Sequence, residues 1–408
     1  MSKANSSYKI TPVQQGNQVR HLIISRTNHL PSRAAGFYES HLNRSKNSPN
    51  TIRNQLQGFS QLLSWGDDVG VDVDERFLSG QPLQPLEIQS FSHWLMEQSV
   101  GRKQETLTDK KTHNQKLVTA RTIERWFVEL HYQNPDHSRR AIEVAQIIET
   151  QSGIWKRMMR KTIHKPEVSD LSEDEIREIE TFLRGEGVGE SATAIGARRY
   201  LMWRLALEFG LRIGEILAMR NEDCPSRTSS TFKVVRIEDR NDPPDPRGAI
   251  APRPKTLGRE LGIMFTNSAF PHLVSTFQSE HRHGWKISRK GKRIKDWNLP
   301  HPYLITDTKG EPLSMRAASK DASVIAEATG IDFTWHKVRH AFFNRAYASV
   351  ADIEDINKHN ARLMDLVYWG GWNDPGSLNI YSRRARKERA RDGFTFWKEG
   401  GAQWSILD

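Results

Sequence analysis

Six side chains of this 408-residue sequence have the types and spacing to work together on a phosphate. Arg212 lies in "FGLRIGEILAMR", in a tight glycine-led turn between two helical patterns. "TWHKVRHAF" sets His336 and Arg339 at i and i+3, neighbours on one helix face. Lys255 lies in "RPKTLGRELGIMF", on a loop or strand edge. Trp372, in "YWGGWNDPGSLNIYSR", precedes Tyr381 by nine residues. Tyr381 then enters a run with six Lys/Arg in the next ten positions, from Arg383 to Arg391. A tyrosine kept only for packing has no use for such neighbours. One that meets a phosphate does.

Cleavage of a phosphodiester by a tyrosine would gather negative charge on two non-bridging oxygens. Two arginines suit that charge, because each guanidinium is a planar fork of donors that keeps its proton. The phenol, with a free pKa of about 10, must shed a proton, so a nearby base and a positive field both help. The leaving 5′-oxygen needs a proton, and a lysine with lowered pKa can give it. Such a scheme calls for no metal and no cofactor.

Each residue also has an ordinary reading. Arg212 alone would be a helix-end cap and His336 a polar helix start. Tyr381 shares a helix face with Leu378 and Ala385 and would pack. Lys233 or a lysine within 286–295 could reach the same oxygen as Lys255. Trp372 cannot shuttle a proton, since an indole only donates one hydrogen bond and packs.

The elements that must position these groups follow from pattern and charge. The formal net charge of +11 points to an anionic partner, nucleic acid first. A membrane is disfavoured, because a spanning helix needs roughly 20 apolar residues and no such run is present. The start, "MSKANSSYKITPVQQGNQVR", has no apolar core of a secretory signal. The single cysteine, Cys224, allows no internal disulfide and fits a reducing, cytoplasmic setting.

Residues 1–50, with seven Lys/Arg against Glu39 alone, read as a basic arm. Residues 51–166 read as a helical domain, with Ile52, Leu56 and Phe59 on one face of the first helix. A strip without acids, 154–165, ends at Pro166, and "SEDE" then opens a new helix with a capping box. Residues 167–391 form the second domain, with strands at "TFKVVRIE" and "LGIMF" on either side of a proline-rich loop. The basic run 282–295 holds seven Lys/Arg and reads either as a solvated loop or as a DNA-backbone contact. Asp374 or Asn373 is expected to cap a helix with Pro375 in its first turn. Residues 392–408 form an apolar tail, with Gly400 and Gly401 as a hinge. Its end, 402–408, is expected either in a groove of a neighbouring protomer or folded back on its own domain.

"GLRIGE", "HKVRHAF" and "GGW" followed nine residues on by Tyr resemble the tyrosine recombinase (phage integrase) family. The likeness covers about 171–390 as its catalytic domain and 51–166 as its helical core-binding domain. It implies a mainly α fold with a small β-sheet, in a two-domain clamp. It also implies Arg212 and Arg339 as the phosphate-holding pair, His336 as the proton-handling partner and Tyr381 as nucleophile. Trp372 falls where the family usually keeps His and sometimes Trp. Lys255 matches the family's lysine through "KT…R…L", and Glu215 matches an acid that orders the site. "VADIEDINKHNAR", 350–362, reads as an insertion.

The implied activity is site-specific recombination of double-stranded DNA through a 3′-phosphotyrosyl intermediate. It would be carried out by a homotetramer on two paired sites, with room for accessory DNA-bending proteins or a partner recombinase. A related topoisomerase that relaxes supercoils, or a DNA-binding protein without catalysis, are the rival readings.

Overall fold

The structure, a computed structural model, describes residues 6–15, 18–45, 49–98, 107–132, 138–161, 170–225, 231–236, 239–240, 245–248, 251–252, 254, 256–262, 269–351, 353–381 and 390. The chain divides into two units, Met1–His164 and Lys165–Asp408.

The first unit opens with an antiparallel hairpin, β1 (Tyr8–Gln15) and β2 (Gln18–Ser25), followed by α1 (Arg33–Arg44). This corrects the basic arm expected over 1–50. Ile23, Ala34, Ala35, Tyr38 and Leu42 join the unit's core, so residues 20–42 are part of a folded body. The one acid of that stretch, Glu39, is buried, with Arg20 Nε at 2.9 Å from its carboxylate and the His21 amide at 3.1 Å. A charge count sees a surplus of cations there. It does not see that Glu39 is placed to tie the hairpin to α1.

Five helices complete the unit: α2 (Pro49–Val69), α3 (Val73–Leu78), α4 (Pro85–Glu97), α5 (Leu107–His131) and α6 (Ser138–Met158). Phe59, Trp65, Phe91 and Trp155 fill their centre. Glu124 of α5 is buried among them, accepting from Trp155 Nε1 and from the Leu83 amide, both at 2.7 Å. Burial pushes its carboxyl up to about 7 against those two hydrogen bonds.

Among the described residues the second unit is helical around two small sheets. In α7 (Glu173–Gly187), Ser172 Oγ accepts from the Glu175 amide at 3.2 Å and Glu175 accepts from the Ser172 amide at 2.7 Å, the capping box read in "SEDE". Next come α8 (Ala194–Phe209) and the short α9 (Ile213–Ala218). β3 (Thr231–Val234) pairs antiparallel with β4 (Arg259–Gly262). The remainder of "LGIMF", 263–265, lies outside the described residues. α10 (Ala269–Thr276) leads to a second hairpin, β5 (Gly284–Ile287) and β6 (Arg293–Asp296), where the sequence suggests only a loop or a backbone contact.

α11 (Met315–Thr329), α12 (Trp335–Ala351) and α13 (Ile356–Gly370) follow. The stretch read as an insertion, 350–362, takes in the end of α12 and the first turns of α13, which Asp355 caps through the Asn357 and Lys358 amides. A 3₁₀ turn, Pro375–Leu378, is capped by Asp374, which accepts from the Gly376 amide at 2.8 Å. The tail 392–408, its glycines and the run 382–389 lie outside the described residues. Among the described residues no helix is long and apolar enough to cross a membrane.

Candidate active site

The site is built around one carbonyl. α13 ends at "GGW": the Gly371 amide bonds to Tyr368 O at 2.9 Å and the Trp372 amide to Val367 O at 3.1 Å. Gly371 takes φ +62°, and a Cβ there would stand 2.6 Å from Arg259 Nη1 and 2.8 Å from Thr256 Cβ. Only glycine satisfies both the left-handed turn and that close approach. The turn leaves the Gly370 carbonyl free of helix bonding and aimed at two arginines. Arg339 Nη2 donates to it at 3.0 Å and Arg212 Nη1 at 3.3 Å. Arg339 also donates to Gly210 O, at the end of α8. Residues far apart in the chain thus meet at a helix end.

Beneath the arginines lies Glu215, fully buried in the first turn of α9. It accepts from the Arg212 amide at 2.9 Å, from Thr256 Oγ1, and from both ends of the Arg259 fork at 3.2 and 3.0 Å. Arg259 Nε donates to Trp369 O at 2.7 Å, and the Leu257 amide to Gly371 O at 3.1 Å, so β4 and its approach are stitched to the same helix end. Burial alone would push the Glu215 carboxyl up. Arg259, with Arg339 and Thr256, more than offsets this and holds it below the usual carboxylate value. Three guanidiniums (Arg212, Arg259, Arg339) against one carboxylate leave two positive charges. Such a cluster is short of anions.

Arg339 is 1 % exposed, with its guanidinium 4.6 Å from the Phe343 ring and 5.2 Å from the Trp372 ring. Arg212 is the outer member of the pair, its side chain 29 % exposed. Tyr381 follows the 3₁₀ turn and is 4 % exposed, its ring 5.9 Å from Trp372, 5.6 Å from Phe343 and 5.6 Å from His340. Its hydroxyl has no hydrogen-bond partner among the described residues. Burial raises its pKa, while Arg339 and Arg212 pull the other way. In this state the phenol keeps its proton.

His336 sits at the first turn of α12 with its ring 4.2 Å from that of His340. Its pKa is lowered by desolvation first, then by Arg339 and Arg212. His340 is a residue the sequence reading passed over. It is buried between His336 and Tyr381, its Nδ1 finds no partner among the described residues, and its pKa falls to about 4, mainly through burial. It is therefore a neutral imidazole. The i, i+4 spacing from His336 within "HKVRH" is the signal that could have found it.

The structure thus brings Arg212, Glu215, His336, Arg339, Trp372 and Tyr381 together. Lys255 lies outside the described residues. Arg259 was also missed, although it stands in the "KT…R…L" pattern. Nothing in its spacing says that it braces Glu215.

A buried Arg339 and a part-exposed Arg212 thus stand beside a buried tyrosine on a mainly helical unit with two small sheets among the described residues, an arrangement that suits an anion. A family profile described as "Phage integrase family" matches residues 169–388, more than half of the chain. The chain belongs to the phage integrase family and is a site-specific tyrosine recombinase. Among solved structures it is similar to the Tn1549 transposon integrase in complex with circular intermediate DNA. Identity there is 15 %, over 88 % of this chain and 99 % of that one, with a TM-score of 0.51. It is also similar to the XerH site-specific recombinase bound to its difH substrate, at 14 % identity over 83 % and 79 %, with a TM-score of 0.45. No curated protein matches the chain.

Proposed function

We propose that the chain cuts and rejoins double-stranded DNA by attack of the Tyr381 oxygen on a backbone phosphate. The phosphorus–tyrosine bond forms as the bond to the 5′-oxygen breaks, leaving a 3′-phosphotyrosyl link and a free 5′-hydroxyl. Another 5′-hydroxyl reverses the step on the new partner strand. Since the bond is exchanged rather than hydrolysed, no nucleotide cofactor is consumed.

In this reading Arg212 and Arg339 hold the two non-bridging oxygens, where transition-state charge accumulates. The observation that carries it is the pair of guanidiniums sharing the Gly370 carbonyl, inside a cluster with two uncompensated positive charges, beside Tyr381. Glu215 and Arg259 are positioning residues: they fix the arginines and never touch the phosphate. His336 takes the phenolic proton, with the His340 ring packed between it and Tyr381. Trp372 offers its indole N–H to a phosphate oxygen. Lys255 protonates the leaving 5′-oxygen. A clamp of both units on the duplex, and a tetramer on two paired sites in the cytoplasm, belong to the same reading.

Lys255→Ala provides the test. It is expected to slow cleavage by about 10²–10⁴-fold, the usual weight of a general acid. A substrate with sulfur at the bridging 5′ position should restore most of that rate, because a thiolate leaves without a proton. Arg212→Ala should show no such rescue. Cleavage by the parent should proceed in excess EDTA, since arginines supply the charge a metal would bring. Equal behaviour of the two variants removes Lys255 from this role, and loss of cleavage on chelation overturns the scheme.

A further inference from the structure

The β5–β6 ribbon has no part in the site described above, yet it concentrates cations and exposed rings as no other described hairpin does. Its turn is a three-residue loop: the Gly291 amide bonds to Ser288 O at 2.9 Å and the Ser288 amide to Lys292 O at 2.8 Å. Gly291 adopts φ +71°, the left-handed position such loops require. Register sets Trp285 opposite Lys295 and Ile287 opposite Arg293. Directly opposed residues project from the same face, so these four share one face of the ribbon. That face carries no carboxylate.

Its root is fixed. Arg282 is buried and donates to Tyr303 O at 2.9 Å and His301 O at 2.6 Å. His283 stands edge-on to Trp285 and to Trp297, 5.1 Å from each ring, and Trp285 Nε1 donates to Thr308 O at 2.9 Å. From this base Trp285 remains 41 % exposed, Trp297 44 % and Ile287 69 %. Arg293 lies 4.3 Å from the Trp285 ring and Lys295 5.4 Å from the Trp297 ring. Asp296 is the ribbon's one acid and is held by Lys286 at 3.1 Å. Arg289, Lys290, Lys292, Arg293 and Lys295 have no ion-pair partner among the described residues.

A hairpin kept only for solubility would carry its cations without large apolar groups beside them. Cations interleaved with rigid, half-open rings suit a polyanion that also offers sugar and base surfaces. A two-stranded ribbon also has the width to enter the major groove of a duplex.

We propose that the β5–β6 ribbon is a second DNA contact of the catalytic unit, separate from the phosphate cradle at Arg212 and Arg339. Its cations meet backbone phosphates, and its Trp285–Ile287 face lies against the duplex. This rests on the reading that the chain acts on DNA.

The test uses the full chain and two variants. In the first, Arg289, Lys290, Lys292 and Arg293 are all changed to alanine, and duplex affinity is measured from 50 to 300 mM salt. Each phosphate contact contributes about 0.9 to the slope of log affinity against log salt. The variant is expected to bind at least about tenfold more weakly near 100 mM, with a slope lower by about 2 or more. At saturating DNA it should still form the covalent adduct. In the second, Ile287→Cys places an exposed thiol on the ribbon, while Cys224, the chain's one cysteine, is buried. Saturating duplex should slow alkylation of that thiol at least fivefold, and phosphatidylserine vesicles should not. Unchanged slope, or an unprotected thiol on DNA-saturated protein, overturns the ribbon contact while leaving the recombinase reading intact. Protection by vesicles instead of DNA overturns it in favour of a membrane surface. A parent chain that neither binds duplex nor forms adducts overturns both.

Discussion

The arginine half and the tyrosine half of the site are held by different forces. Arg212, Arg339 and Glu215 are locked by hydrogen bonds to backbone carbonyls, an amide and the Arg259 fork. The Tyr381 side chain is held by apolar and ring contacts, its hydroxyl without a hydrogen-bond partner among the described residues. The difference has a physical logic. A cradle for developing charge works best when its dipoles are already oriented, so that none must turn during the reaction. On the proposed reading Tyr381 is the nucleophile, and burial against Trp372 and Phe343 keeps its phenol protonated until a phosphate is bound. Directional bonds fix the arginines, whereas the Tyr381 ring is packed by non-directional contacts, which on the proposed reading would let it shift toward a phosphate.

Glu215→Gln should break this contrast most sharply. It leaves three guanidiniums around a neutral amide, and removing one partner of a buried ion cluster costs about 3–5 kcal/mol. Urea or thermal melts of the variant should show a loss of that size. A loss below about 1 kcal/mol would mean that the arginines are held by their carbonyls alone.

The next effect, on the boundary between the halves, is a pH dependence. The buried His340 has a folded pKa of about 4 against an ordinary value of 6.5, so the unfolded chain binds the proton first. The contribution of His340 to stability is therefore full above about 6.5 and is lost as pH falls toward 4, by about 2 kcal/mol at pH 5. Urea melts of the parent and of His340→Phe at pH 7 and pH 5 isolate this share from that of Glu124 and the other buried groups: on acidification the parent should lose about 2 kcal/mol more than the variant. Equal pH dependence in parent and variant would place the titrating group elsewhere.

How much of this contrast can be read from the residues alone depends on what kind of contact is involved. Arg212, His336, Arg339, Trp372 and Tyr381 are legible because each is marked by local spacing: a glycine-led turn, an i, i+3 pair, a tyrosine nine residues after a tryptophan. The Gly370 carbonyl is not legible, since every residue has a carbonyl and only the helix end exposes this one. Arg259 is hidden for a related reason: its partner Glu215 is 44 positions away. The hairpin at 284–296 was missed because its cations mask Trp285, Ile287 and Ile294, and the one at 8–25 because Pro12 and a run of Gln and Asn break up its apolar pattern. The capping boxes and the Asp374 turn, which depend on near neighbours, were within reach.

Asp374→Ala should have the smallest effect, on the tyrosine half. It removes one cap from an exposed 3₁₀ turn, a change worth about 1 kcal/mol, or about fivefold in an equilibrium. Adduct formation should slow by about fivefold or less in single-turnover assays, with duplex affinity unchanged. A larger loss would mean that the turn itself sets the position of Tyr381.

The measurement that bears most directly on the whole account is Tyr381→Phe, examined for stability, duplex affinity and covalent adducts in the same preparation. The hydroxyl lacks a partner among the described residues, so its removal should shift stability by no more than about 0.5 kcal/mol. Duplex affinity should stay within about twofold of the parent, because the arginine cradle is untouched. Covalent protein–DNA adducts should disappear. Adducts persisting in Tyr381→Phe would make another side chain the nucleophile, with Tyr347 or Tyr368 next in line, and would contradict the division of the site into a fixed cradle and a released tyrosine.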